Sequence, residues 1–256
     1  MKSIPFLLLP LLLSACLNDA PDEPPMAKLP VAVRAVEAAH RKADFLGHET
    51  VAFEMELHWR DKPVLQADIV QRTDGTRIRI RKTNGSDAVF DGNDAWLAGP
   101  ADPDARFDLF SWHYFFCLPW KLTDPGARWQ PMPDRVFEKM SCSSGRLSFA
   151  PGTGDSSDDW FLVFSDKDQG LLRGAVYVVT FGGRDIETAG KTPRVVQYSD
   201  FKPVDGIPVA HAWQFYSWNT DSLSGKKELG TAVIRKVQFA DETPEMFAVP
   251  AGARRI

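Results

Sequence analysis

The hydrophobic period of this chain changes near residue 50. From Pro30 to Phe45, Val33, Val36 and Ala39 or His40 recur at three and four with Gly47 just beyond, a spacing that predicts one amphipathic helix. In TVAFEMELHW the period becomes two. Val51, Phe53, Met55, Leu57 and Trp59 alternate with Ala52, Glu54, Glu56 and His58, which predicts a half-buried strand. Turn-forming clusters then recur at short intervals (RDKP, TDGT, NGSD, DGND, DKDQG, VDGIP). Between them lie strand-like runs at 64–72, 76–82, 94–98, 135–140, 160–164, 171–181, 194–201, 207–218 and 230–239. Strands so spaced, without interleaved helices, predict a mainly β (α+β) fold built on an antiparallel meander. In DDWFLVFSD and LLRGAVYVVTF both alternating sets are apolar, so both faces of the sheet need cover there. One cover is the helix near 31–45. The stretch Asp104–Cys117, of helical length and followed by Pro119, supplies a second.

That second stretch runs into FSWHYFFCLPW, residues 110 to 120, which is dense in rings. Burying one large apolar side chain is worth roughly 1.5–3 kcal/mol, so leaving this cluster in water would forfeit about as much as a whole domain's stability. Four covers are open: the protein's own core, a lipid-like ligand in an apolar cavity, a partner protein, or a membrane surface where Trp and Tyr sit well.

The N-terminus bears on that choice. Met1-Lys2 precedes an apolar run from Ile4 to Leu13, too short to span a bilayer and of the length of a secretion signal. Leu13-Ser14-Ala15-Cys16 resembles the lipobox of bacterial lipoproteins, which implies a signal peptide over residues 1–15 and a diacylglyceryl anchor on Cys16. Leu17 stands where the inner-membrane retention signal would be Asp, implying the periplasmic face of the outer membrane. Residues 16–30, with several prolines and acids, read as a lipidated tether, leaving 31–256 for a single domain. The formal charge of −4, with no Lys/Arg cluster, argues against nucleic acid and leaves the lipid as the contact with the membrane. With Cys16 lipidated, Cys117 and Cys142 remain, as a disulfide that an oxidising compartment permits or as two free thiols.

The N-terminal helix, the long meander, the aromatic mid-chain segment and the late strands YSDFKPVDGIPVAHAWQFY resemble the lipoprotein-localisation factor (LolA/LolB-like) superfamily. More narrowly, FDGNDAW, HYFFCLPWKLTDPG and GTGDSSDDWFLVFSDKDQGLLRG resemble a bacterial envelope lipoprotein family of that type, over most of residues 40 to 248. The superfamily resemblance implies a curved sheet forming an incomplete (half) β-barrel, with the N-terminal and mid-chain helices on its concave face and a groove for acyl chains between them. The chain shows no match to the protruding membrane-engaging loop of LolB. The narrower family supplies no catalytic residues.

On this reading the candidate ligand-binding residues are Trp112, Tyr114, Phe115, Phe116 and Trp120 from the aromatic segment, with His211, Trp213 and Phe215 from a late strand. His211 is the polar member of an apolar strand face, either a satisfied core histidine or an anchor for a head group. The acids of GDSSDDW, Asp155, Asp158 and Asp159, lack EF-hand spacing and suit a turn, so no metal site is expected. GGRDIETAGKT has Asp185 where a phosphate loop needs glycine, and G-x-S-x-G is absent. No catalytic residue or cofactor is therefore assigned. The function expected is non-covalent binding of a lipid-like ligand, with a self-filled structural module and an envelope hydrolase as the alternatives.

Overall fold

A computed structural model describes residues 30–218 and 227–256; the signal peptide, Cys16 and nearly all of the tether lie outside them. The described strands form one antiparallel sheet: β1 (Thr50–Trp59), β2 (Lys62–Arg72), β3 (Ile78–Lys82), β4 (Asp87–Phe90), β5 (Ala95–Ala98), β6 (Ala127–Phe137), β7 (Met140–Phe149), β8 (Phe161–Asp166), β9 (Leu172–Tyr177), β10 (Arg194–Val204), β11 (Ile207–Ser217), β12 (Glu228–Ala240) and β13 (Arg254–Arg255). Their spatial order is 13-5-4-3-2-1-12-11-10-9-8-7-6. From the middle strand β1 the chain meanders out to β5, crosses to β6 at the opposite edge, and meanders back until β12 pairs with β1.

This order dictates where the mid-chain helix goes. A connection from one edge of the sheet to the other must pass over a face, and helix α3 (Ala105–Cys117) with the 3-10 turn Leu118–Trp120 forms that passage. Local slips curve the sheet around them. Where β12 moves from Arg235 opposite Glu54 to Gln238 opposite Ala52, Lys236 takes φ 51°. On its other side β12 slips again against β11, between Phe215 opposite Gly230 and Tyr216 opposite Glu228. Such bulges bend a strand and increase its twist, which lets a sheet this wide wrap an interior instead of splaying open.

The N-terminal segment forms two helices, not the single one expected. α1 (Val31–Ala39) ends at His40, and Arg41 with φ 52° turns the chain into α2 (Lys42–Gly47). The break lets Val33, Val36 and Phe45 all reach the same core, Phe45 stacking on Trp120 with centroids 3.9 Å apart. The run expected at 135–140 is a hairpin corner. Glu138 and Lys139, both at positive φ, join β6 to β7. Pro131 and Pro133 fit β6 because it is an edge strand, where missing donors interrupt no ladder.

Both faces of the middle strands are covered, but not by two helical layers. The helices lie with the concave-face cluster, together with Phe161, Val163, Ala175 and Tyr177. The opposite face carries a second cluster of Phe137, Cys142, Phe164, Val176 and Val195, flanked by Met140, Trp160, Leu162, Tyr216 and Trp218. Phe137 lies against Gly174 so closely that a Cβ there would fall 2.5 Å from the ring, which is why this strand tolerates glycine. The two clusters decide the disulfide question. Cys117 belongs to the first and Cys142 to the second, so the sheet separates them and both are free thiols. Burial pushes the Cys117 thiol up to about 12, far from a reactive thiolate at neutral pH.

Candidate functional site

Helix α3 is tied to the sheet along its length. At its start, Lys82 of β3 reaches Asp102 at 2.7 Å and Asp108 at 2.5 Å, and Asp108 also accepts a hydrogen bond from Trp112 Nε1. In the middle, the Tyr198 hydroxyl donates to the Phe115 carbonyl at 2.9 Å. Gln71 of β2 bridges two α3 residues, its amide donating to Cys117 Sγ while its oxygen meets His113 Nδ1 at 2.8 Å. His113 is fully enclosed, and burial followed by the nearby Lys121 charge holds its pKa well below the usual imidazole range, so it is neutral. On the outer side, Arg106 forms a two-pronged pair with Asp155 at 2.8 and 3.0 Å and donates to the Ile256 carbonyl.

Between α3 and the strands β7 to β9 lies a cavity of about 500 Å³. Its apolar wall comes from Phe110, Tyr114 and Phe115 of the helix, Phe149, Phe161 and Tyr177 of the strands, and Val178, Val179 and Phe181 just beyond β9. Its polar lining residues include Arg106, Asp155, Ser156 and Asp159. A neighbouring cavity of about 220 Å³, lined by Trp59, Phe107, Trp112 and Arg194, shares Phe115, Tyr177 and Val179 with the first. The larger cavity falls within the range of small-molecule sites.

The eight residues singled out in the sequence do not form one site. Tyr114 and Phe115 line the larger cavity, and Trp112 lines the smaller. Phe116, Trp120 and Trp213 surround a gap of about 10 Å³ that their own side chains close. Phe215 is fully buried, its ring near those of Trp59, Trp112 and Phe115. His211 lines none of these cavities; its Nδ1 meets the Ile234 carbonyl at 2.9 Å on the neighbouring strand. The wall residues Phe149, Phe161 and Phe181 were not singled out. Phe181 carried a signal, because the apolar run 171–181 continues beyond the end of the strand it feeds, and the excess lines the cavity.

Two polar groups in the wall have special positions. Asp159 accepts from both the Thr180 amide and hydroxyl through Oδ1, at 2.7 and 2.8 Å, which pins the 178–181 segment. Burial nonetheless raises its carboxyl above the usual range. The Tyr114 hydroxyl is buried without a hydrogen-bond partner among the described residues. An unmatched buried hydroxyl costs about 1–3 kcal/mol, so Tyr114→Phe should stabilise the empty protein by about 1 kcal/mol in urea denaturation. No gain, or a loss, would mean that the hydroxyl is satisfied.

Among the described residues, no group of three His, Cys, Asp or Glu side chains could hold a metal ion, and no helix is long and apolar enough to cross a membrane. Asp155 is engaged by Arg106 and Asp159 by Thr180.

No protein-family model and no curated protein matches the sequence. Solved structures do match its shape. A LolA superfamily protein from Nitrosomonas europaea superposes with a TM-score of 0.55 at 10% identity, over 83% of this chain and 97% of that one. A domain from Vibrio parahaemolyticus described as an outer membrane lipoprotein-sorting protein gives 0.52 at 13% identity, over 84% and 95%. A DUF1329 family protein from Desulfovibrio piger gives 0.52 at 13% identity, over 83% and 94%. The chain therefore has a LolA-like fold, an open half-barrel with helices on its concave face.

Proposed function

We propose that this protein is an envelope lipoprotein, anchored through Cys16 at the periplasmic face of the outer membrane, that holds a lipid-like ligand between its half-barrel and helix α3. The observation carrying this reading is the cavity of about 500 Å³ walled by aromatic rings in a fold that could have filled it, as it fills the space around Trp120 and Trp213. Binding is non-covalent sequestration: the rings supply affinity by removing apolar surface from water, and the polar lining orients a head group. Among the described residues of the site no nucleophile is paired with a competent base: the lowered pKa of His113 makes it a weak proton acceptor, its Nδ1 is held by Gln71, and the Cys117 thiol stays protonated. The LSAC motif supports the anchor. The Vibrio structure's description as a lipoprotein-sorting protein fits the same compartment.

Native mass spectrometry of the full chain extracted from a bacterial envelope tests both halves. A covalent diacylglyceryl mass on Cys16 is expected, lost in Cys16→Ala, together with a non-covalent adduct that denaturation releases. Ser111→Trp, which places a ring in the cavity from the helix side, should abolish the adduct and leave the covalent mass. A protein with no adduct, and no uptake when lipids are added, would leave only an anchored structural module.

A further inference from the structure

The polar lining of the proposed ligand cavity also constrains the head group of its occupant, a deduction that rests on that cavity being a ligand site. Its charged lining consists of Arg106, Asp155 and Asp159. The cation is spent: Arg106 gives Nε and one terminal nitrogen to Asp155 and the other to the Ile256 carbonyl. Neutral His113 adds no positive charge, and Lys121 is paired with Asp124 at 2.9 Å. Asp159 has no such counter-ion. Both its hydrogen bonds come from Thr180 and both end on Oδ1, leaving Oδ2 without a hydrogen-bond partner among the described residues. In the same lining, the Tyr114 hydroxyl is buried without a partner among the described residues and remains a protonated phenol, since burial and then the nearby Asp124, Cys117 and Asp159 push its pKa well up.

We infer that the cavity selects single-chain amphiphiles whose head group donates a hydrogen bond and carries no net negative charge, an ammonium or a hydroxylated neutral head, with Asp159 as the discriminating residue. An anionic head would meet a lining whose cation, among the described residues, is already paired with Asp155, and would lie next to the Asp159 carboxylate with its unpartnered Oδ2. A donor head would instead complete the Asp159 carboxylate, which strengthens the pairing because charge-assisted hydrogen bonds are the stronger kind.

The test uses three amphiphiles with the same twelve-carbon chain, dodecylamine, 1-monolaurin and laurate. They are titrated below their micelle concentrations into the full-length protein at pH 8, with intrinsic tryptophan fluorescence and calorimetry as readouts. Laurate should bind at least tenfold more weakly than the other two. Asp159→Asn, which keeps an acceptor for Thr180, should bring all three within about threefold of one another. Asp155→Asn, which frees Arg106, should strengthen laurate by about tenfold and leave monolaurin unchanged. Equal affinities for all three in the wild-type protein overturn the head-group inference while leaving the cavity as a ligand site. Binding of none of the three overturns both. The wild-type ranking and the Asp155→Asn arm decide the matter even if Asp159→Asn fails to fold.

Discussion

Replacing Lys82 by methionine should remove about 3–5 kcal/mol of stability and release the start of helix α3. The side chains of Lys82, Asp102 and Asp108 are only 9%, 8% and 10% exposed, which puts this cluster outside the regime of surface ion pairs worth about 1 kcal/mol or less. One ammonium serves two carboxylates. Burial pushes Asp102 up, but Lys82 and Ser86 outweigh it and hold the group below the usual carboxylate range. In Asp108 burial wins over Lys82 and Trp112, and its pKa is raised. Without Lys82 the two anions face each other in a largely dry space, and the contact joining β3 to α3 becomes repulsive. Urea denaturation would register the loss, and hydrogen exchange should accelerate first in the amides of 105–110. The triple variant Lys82→Met, Asp102→Asn, Asp108→Asn should recover most of the stability, since replacing a whole buried ionic cluster is far less costly than orphaning its members. A loss under about 1 kcal/mol for Lys82→Met alone would show that water already reaches the cluster and that the helix is held by its rings.

The meander was legible because each strand's alternation and the turn residues between strands are local properties, and the curvature followed from resemblance to a known superfamily. Alternation alone does not say which face each covering element takes; the resemblance placed both helices on the concave face, where they lie. The apolar alternation in 160–164 and 171–181 required two covers, and two helices were at hand. Yet the N-terminal helices and α3, the edge-to-edge crossing, all lie with the concave-face cluster, and the other face is closed by side chains such as Phe137, Trp160 and Tyr216. β4 leaves no signal of its own because its four residues, squeezed between the NGSD and DGND turn clusters, are too few to show alternation, although both of its partners, β3 and β5, do. The aromatic segment pointed to the right helix but not to the right rings. Successive positions on a helix face different neighbours, so Tyr114 and Phe115 meet the cavity while Phe116 stacks on Phe53 in filled core. The polar lining of the site, Arg106 with Asp155 and Asp159, joins residues about fifty positions apart that only the edge-to-edge crossing brings together.

Acidification should weaken the protein well above the pH at which carboxylates titrate. His40, at the end of α1, is buried, and its Nε2 accepts the Leu172 amide at 2.9 Å while its ring packs against Trp120 and Phe201. Desolvation by burial lowers its pKa from 6.5 to about 4; the Pro208 carbonyl favours the charged form without meeting hydrogen-bond geometry to Nδ1, and Arg173 opposes that form. Protonation would place a charge in the core and turn the acceptor of the Leu172 amide into a donor. The folded pKa lies below the unfolded one, so the unfolded chain binds the proton more readily in between. The contribution of neutral His40 is therefore complete above about pH 6.5 and is lost progressively as the pH falls towards 4. At about 1.36 kcal/mol per unit, this separation amounts to about 3 kcal/mol. His113, lowered for the same reason, adds a loss of the same sign. Asp108 and Asp159 work in the other direction, because their raised folded pKa values make protonation favour the native state. The difference between the wild-type protein and His40→Gln isolates the histidine: the variant starts less stable at about pH 7, and the two stabilities should converge by about 3 kcal/mol between about pH 7 and 4 in urea titrations. Parallel profiles would mean that His40 is solvated enough to titrate normally and that the junction of α1, the Leu118–Trp120 turn and β9 opens in the native state.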